Sequence, residues 1–244
     1  RVPVLRVSLA ELAARGELRG ERRALWVGGV EVAVVYYRAG YTPADYPTER
    51  EWEGRLLAER SLAIKCPSVE YHLIGAKRIQ QALAAPDALE RFVGDAAACA
   101  ALRSVFAGQW ALDGSGGEEA KAAVERAKSD PGAFVLKPQR EGGGNNLYGA
   151  AVREALTTLD SRSLGAFILM QRIFPRRRPN ALVREGQLHR GETITEVGVY
   201  SAALGAGGKV LFECSGGTLV RTKLADVDEG GVASGFACLD SLVL

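Results

Sequence analysis

Cysteine, histidine and methionine are scarce in this chain, at four, two and one of 244 residues. Cys66, Cys99, Cys214 and Cys238 are widely scattered, with no C-x-x-C pair and no histidine at metal-ligand spacing. That pattern excludes a disulfide framework and a structural zinc site. A reducing compartment is the default for such thiols, and the cytoplasm is the expectation. Long apolar runs are missing too: nothing reaches the roughly twenty residues that a membrane-spanning helix needs, and no secretory leader pattern opens the residues given. Nor is there an excess of charge. With 31 basic and 29 acidic residues the formal charge is +2, so no polycation argues for nucleic acid. The run Arg176-Arg177-Arg178 is short, bracketed by prolines, and reads as a solvated loop. His72 and His189 stand alone, and no Ser–His or Cys–His arrangement offers a covalent nucleophile. Neither nucleic acid nor a membrane is expected as a partner.

What is present is an ordinary globular composition, 47% apolar and 25% charged, in a length that holds one large domain or two small ones. Glycine is plentiful, and one stretch concentrates it: Lys137-Pro138-Gln139-Arg140-Glu141-Gly142-Gly143-Gly144-Asn145-Asn146-Leu147-Tyr148-Gly149. A strand pattern over 133–136 precedes it and a helix pattern over 150–159 follows. Three consecutive glycines let backbone N–H groups approach an anion closely. Lys137 adds a point charge suited to phosphate, and Glu141 a carboxylate suited to Mg²⁺. The loop is neither a P-loop, since no Gly-Lys-Ser or Gly-Lys-Thr follows, nor a Gly-x-Gly-x-x-Gly fingerprint. It suits a lid that closes over a nucleotide triphosphate.

Periodicity organises the rest. A helix is expected over 9–18, and residues 31–37 read as a strand apolar on both faces, hence central in a sheet. That strand runs into Arg38-Ala39-Gly40-Tyr41-Thr42-Pro43, a turn at a strand's carboxyl end, where ligands sit in open α/β sheets. Thr48 and Glu51 form a capping box opening a helix whose apolar face is Trp52, Leu56 and Leu57. Single helices are expected over 68–83, 96–110 and 118–128, and a strand over 166–173. Residues 192–204 and 209–213 read as a hairpin across Gly205-Ala206-Gly207-Gly208. The segment 224–239 is rich in small residues. Helices come in runs rather than in strict alternation with strands, so the fold class is α/β (α+β) with a mixed or antiparallel sheet.

Several further side chains invite a chemical reading. Met170-Gln171-Arg172-Ile173 ends a strand whose backbone suits an adenine edge, or is simply strand-end core. Glu196 interrupts an apolar strand, and its carboxylate either faces solvent or has a cationic or ribose partner. Arg221 and Lys223 lie at i and i+2, on the same side of an extended chain. They suit a carboxylate and a phosphate respectively, or else decorate an exposed edge. Lys77 is by default a solvated lysine on its helix.

Together these motifs resemble the eukaryotic-type glutathione synthetase family of ATP-grasp ligases. The resemblance rests on the glycine-rich stretch, on Glu59-Arg60-Ser61-Leu62-Ala63-Ile64-Lys65-Cys66-Pro67-Ser68, on Ile194-Thr195-Glu196-Val197-Gly198, on Arg221-Thr222-Lys223 and on Gly230-Gly231-Val232-Ala233. It implies an ATP-grasp-type core over 75–244, with a lid at 137–149 and an alanine- and glycine-rich loop at 224–238, preceded over 1–74 by part of an α/β substrate-binding domain. It implies ligation of γ-glutamylcysteine to glycine through an acyl phosphate, with ATP as co-substrate and Mg²⁺ as cofactor. By the same resemblance Lys77, Lys137 and Lys223 contact ATP, and Pro138, Gln139, Arg140, Glu141, Gly142, Gly143, Gly144, Asn145 and Asn146 close over its phosphates. Glu141 holds Mg²⁺, while Tyr148, Met170, Gln171, Arg172, Ile173 and Glu196 line the nucleotide pocket. Glu229, rather than Asp228, is the acidic ATP contact. Arg38, Ala39, Gly40 and Tyr41, with Arg221, Val232 and Ala233, contact the peptide and amine substrates, and Lys137 and Arg221 are the catalytic pair. Ala39 stands where the family carries aspartate: a backbone contact there is kept, and a side-chain role is lost. Family members are roughly twice this length and commonly homodimers, and a plastid is the alternative compartment. The chain is therefore expected to be a piece of a longer or split enzyme, incomplete alone. A nucleotide-binding module without catalysis, and a synthetase using β-alanine, are the alternatives.

Overall fold

The computed structural model describes residues 2–139, 145–232 and 235–241. They fall into two compact units. The first comprises Arg1–Ala120, Lys137–Glu141 and Ser161–Ile168; the second comprises Lys121–Leu136, Gly142–Asp160 and Leu169–Leu244.

In the first unit α1 (Leu9–Arg15) leads into an antiparallel sheet of β1 (Gly16–Arg19), β2 (Ala24–Val27) and β3 (Val30–Val32). A two-stranded parallel sheet follows, β4 (Val34–Tyr36) beside β5 (Ile64–Cys66), with α2 (Glu49–Glu59) between them in sequence. The core is Leu12, Leu25, Val27, Tyr37, Ala58 and Ala63, all under a tenth exposed. Each large side chain there contributes about 1.5–3 kcal/mol of burial free energy. The capping box at Thr48 and Glu51 forms as the sequence predicts, with Thr48 Oγ1 accepting from the Arg50 N–H and Glu51 Oε2 accepting from Thr48 N–H. Of the expected apolar face only Leu57 packs against that core. Trp52 and Leu56 are about half exposed, and the buried residues of α2 are Gly54 and Ala58. Small residues win that face because α1 crosses so closely that a Cβ at Gly54 would lie 2.0 Å from Leu9 O. Trp52 instead stacks its ring on Tyr46, 3.8 Å between centroids.

The strand expected over 31–37 is likewise corrected. It breaks at Ala33 into β3 and β4, which belong to different sheets, and Val34 and Tyr36 are exposed. The helix expected over 68–83 is two helices, α3 (Val69–Ile74) and α4 (Lys77–Ala84), because Ala76 is extended at φ −63°, ψ 143°. That break puts Lys77 in the first turn of α4. The helix expected over 96–110 ends early as α5 (Ala96–Ser104), and Trp110 lies in β6 (Gln109–Ala111).

Next come α6 (Gly117–Ser129), β7 (Phe134–Pro138), β8 (Leu147–Tyr148), α7 (Ala150–Thr158), α8 (Ser161–Leu164) and β9 (Phe167–Gln171). A four-stranded sheet runs in the order β6-β9-β7-β8. In the second unit β10 (Arg178–Arg184), β11 (Gln187–Ala206), β12 (Lys209–Leu224) and β13 (Cys238–Asp240) form an antiparallel sheet in chain order. The β11–β12 hairpin is longer than its sequence suggests. Gly216 is accommodated as an extra residue where the register shifts between Tyr200 and Ser201, so a glycine-rich segment stays within the strand. Gly207 and Gly208, at φ 56° and 74°, make the tight turn. Among the described residues no helix is long and apolar enough to cross a membrane.

Candidate functional site

The second unit carries a polar face on the β11–β12 hairpin. Thr222 is fully buried, shares a 3.0 Å Oγ1–Oγ1 hydrogen bond with Thr195 and donates to Asp240 Oδ2 at 2.7 Å. Because side chains alternate along a strand, burying Thr222 turns Arg221 and Lys223 to the opposite face. The register sets Ile194 beside Lys223 and Glu196 beside Arg221. Glu196 therefore has a cationic partner, in an ion pair with the Arg221 guanidinium, while its side chain stays exposed to solvent. Two residues with separate predicted roles are thus paired with each other.

Lys223 is half-buried. Its ammonium donates to the carbonyls of Val227 at 2.5 Å and Asp228 at 2.8 Å. Burial lowers its pKa from the ordinary lysine value, partly opposed by Asp228 and Glu229. Asn146 Nδ2 donates to Glu229 Oε1 at 3.1 Å and to the Tyr148 hydroxyl at 3.3 Å. Burial, followed by the Glu229 charge, raises the Tyr148 pKa. The Arg172 guanidinium pairs with Asp228 at 2.5 Å and lies 5.3 Å over the Tyr148 ring. Asn146, Tyr148, Arg172, Glu196, Arg221, Lys223 and Glu229 thus all lie in one unit. Met170 and Gln171 close β9, Ile173 just beyond it is exposed, and Val232 is half-buried. Asn145 is exposed. An open depression of about 610 Å³ on β10 and β11, lined by Pro179, Asn180, Ala181, Arg190, Gly191 and Glu192, contains none of the predicted residues.

The first unit holds the rest. Lys77 opens α4, and the next residue ties that helix to the end of β7, the strand that carries Lys137 and Pro138. The Arg78 backbone N–H donates to Gln139 Oε1 at 3.2 Å, and the Gln139 N–H donates to Ala166 O at 3.1 Å. The Arg78 guanidinium pairs with Asp113 at 2.8 Å. Asp113 in turn accepts from the Ser115 hydroxyl at 2.6 Å and the Ser115 N–H at 3.0 Å. Those bonds, Ser115 first and Arg78 after it, hold the Asp113 carboxyl far below the usual carboxylate range. Sequence reasoning missed Arg78 and Asp113. An Asp-x-Ser turn was the available signal for Asp113; nothing local pointed to Arg78.

At the turn expected to meet substrate, Arg38 and Ala39 are exposed and Gly40 is buried. Arg38 Nη1 donates to the Tyr36 hydroxyl at 3.3 Å. Asp45 Oδ2 accepts from the Tyr41 and Thr42 N–H groups at 3.0 and 2.9 Å, and the Tyr41 hydroxyl donates to Tyr37 O at 2.7 Å. The Tyr46 hydroxyl donates to Gly40 O at 3.2 Å. Asp45 and Tyr46 were not singled out from sequence. Arg140, Glu141, Gly142, Gly143, Gly144 and Ala233 lie outside the described residues.

Residues 12–244 match a family model described as "Eukaryotic glutathione synthase, ATP binding domain". Over its whole length the chain is 52% identical to a chloroplastic glutathione synthetase of Arabidopsis thaliana, covering 44% of that protein. Over 98% of its length it is 44% identical to glutathione synthetase of Xenopus laevis and 42% to that of Homo sapiens, covering 50% of each. The chain spans about half the length of the relatives it matches. Among solved structures a glutathione synthetase-like effector from Globodera pallida, in its apo form, superposes with a TM-score of 0.67 over 93% of this chain and 45% of that one. At 23% identity that likeness speaks to the fold alone.

Proposed function

We propose, because the chain belongs to the eukaryotic glutathione synthase ATP-binding domain family, that it is the nucleotide-binding part of an ATP-dependent ligase joining γ-glutamylcysteine to glycine. The observation that carries this reading is the outward face of β11 and β12, where Lys223 and Arg221 lie side by side next to Glu196. A half-buried lysine with a depressed pKa beside an arginine fork suits one phosphate and one carboxylate.

In the reaction we assign, the cysteinyl carboxylate of γ-glutamylcysteine attacks the γ-phosphorus of ATP. The bond to the bridging oxygen breaks, giving an acyl phosphate and ADP. The glycine amine then attacks the acyl carbon and phosphate leaves with its electron pair. Neither step calls for an enzyme nucleophile. Phosphoryl transfer needs positioning and charge neutralisation, which we assign to Lys77, Lys137 and Lys223. Arg221, exchanging Glu196 for substrate, orients the carboxylate. Tyr148 and the segment 170–173 hold the base, with Glu196 and Glu229 as acidic contacts to the nucleotide. Arg38, Gly40 and Tyr41 hold the dipeptide, and Val232 and Ala233 border the amine site, shielding the acyl phosphate from water. Glu141 is the side chain we assign to Mg²⁺, which when bound would neutralise phosphate charge. Among the described residues no three His, Cys, Asp or Glu side chains are arranged to hold a metal; Glu141 lies outside them.

We assign residues 1–74 to the dipeptide side and 75–244 to the nucleotide side, place the protein in the cytoplasm, and take its working form to be a homodimer. The test is ADP release with γ-glutamylcysteine plus glycine or β-alanine. It is measured on this chain alone and on the chain joined to the part of a relative that it does not span. Release that needs both amino substrates, with glycine preferred, supports the proposal. ATP binding without release in either form would leave a nucleotide-binding module. Preference for β-alanine would move the acceptor.

A further inference from the structure

Residues 225–232 follow β12 with no regular structure, yet three successive residues there are gripped by side chains from β12 and from beside two other strands. Lys223 of β12 donates to the carbonyls of Val227 and Asp228. Arg172, just beyond β9, pairs with the Asp228 carboxylate at 2.5 Å. Asn146, just before β8, donates to Glu229 at 3.1 Å. An isolated exposed ion pair orders little. Here the guanidinium is itself fixed, lying 5.3 Å over the Tyr148 ring and 5.5 Å over the Phe174 ring, with its backbone N–H donating to Ala133 O at 2.9 Å. A pre-placed fork loses little freedom when it binds its carboxylate. Beyond Glu229, Gly231 O accepts from the Phe236 and Ala237 N–H groups at 3.0 and 3.2 Å.

We infer that Arg172 is a positioning residue that fixes the 225–232 connection through Asp228, and so ties the end of the base-binding strand to the amine-acceptor loop. The inference rests on the proposed assignment of those two sites, although the latch itself does not. With Arg172 spent on Asp228, its side chain makes no contact with the nucleotide; only its backbone belongs to the base pocket. Filling that pocket then bears on the acceptor loop through the Arg172 guanidinium, beside the grips of Lys223 and Asn146.

The experiment is hydrogen–deuterium exchange on the 244-residue chain as wild type, Arg172→Asp, Asp228→Arg and the charge-swapped double variant, with Arg172→Lys and Asp228→Asn as gentler changes. Each single reversal is expected to speed exchange across 225–232 by about fivefold, leaving the protection of β11 and β12 unchanged. The double variant is expected to return to within about twofold of wild type. Arg172→Lys, keeping the charge without the fork, falls between. Unchanged exchange in the single reversals and in Asp228→Asn, or a double variant no slower than the singles, overturns the inference. Titration with Mg·ATP separates the two claims. A wild type that binds no ATP defeats the nucleotide assignment while the exchange pattern still decides the latch. Loss of ATP binding in Arg172→Lys without faster exchange would make Arg172 a direct ligand, also overturning it.

Discussion

Arg55 and Glu59 face each other one helical turn apart, Nε 2.8 Å from Oε1, and the same guanidinium lies 4.0 Å from the centroid of the Tyr37 ring. Glu59 also accepts from the Tyr37 hydroxyl at 3.3 Å, and Arg55 Nη1 donates to the Tyr46 hydroxyl at 3.4 Å. Since Tyr46 reaches the Gly40 carbonyl, a continuous set of contacts joins the core of the first unit to the proposed dipeptide turn. Side chains of Arg55 and Glu59 are 11% and 25% exposed, so their pair lies between a surface bridge and a buried one.

Replacing one partner is predicted to fall in the same interval. Arg55→Met should lower unfolding free energy by about 2 kcal/mol, above an exposed pair and below a fully buried one. Urea titration followed by circular dichroism measures it. A loss no larger than that of an exposed pair would mean that water screens the contact.

Gly40 has φ +91°, and a Cβ added there would lie 2.7 Å from the Tyr46 hydroxyl oxygen. Gly40→Ala should therefore destabilise the first unit by about 1–2 kcal/mol. Combining it with Tyr46→Phe should recover part of that loss, because the clashing atom is gone while the backbone strain remains. Thermal unfolding of the single and double variants checks the sign of the coupling.

Asp113 has a folded-state pKa depressed below its ordinary value of 3.8. The stability it contributes is present above that value and is lost as pH falls through the lower folded value. Asp113→Asn should flatten the acid limb of the stability profile below about pH 4 and leave the neutral region nearly parallel to wild type. Denaturant midpoints taken across the acid range measure it; parallel acid limbs would contradict the assignment.

Burial holds the Lys223 pKa below the ordinary lysine value, so more of its amine is neutral at mildly alkaline pH. Acylation mapped by mass spectrometry should mark Lys223 ahead of exposed lysines such as Lys209, and Mg·ATP should slow that reaction at least threefold or so if the ammonium meets phosphate. Equal labelling with and without ATP would remove Lys223 from the nucleotide site.

Local chemistry was the legible part of this molecule. Thr48 and Glu51 announce their helix because a capping box closes within four residues, and Arg221 and Lys223 share a face because strand alternation is a property of three residues. The contacts that hold the candidate residues within each unit are of another kind. Arg78 meets Gln139 across 61 positions and Arg172 meets Asp228 across 56, and nothing in either neighbourhood names its partner. The apolar face of α2 misled for a related reason: Gly54 and Ala58 are buried by the close approach of α1, which periodicity of large residues does not report. The Gly216 bulge concealed half a strand in the same way, since a glycine-rich stretch reads as a turn until its partner strand is known.

The most direct test of the ligase account follows oxygen. γ-Glutamylcysteine labelled with ¹⁸O in its cysteinyl carboxylate is turned over with ATP and glycine by the chain joined to the part of a relative that it does not span. The account predicts one ¹⁸O in the phosphate released, because the carboxylate oxygen that attacks phosphorus leaves with it. Glutathione formed with unlabelled phosphate would contradict an acyl phosphate, and with it the roles assigned to Lys137, Lys223 and Arg221.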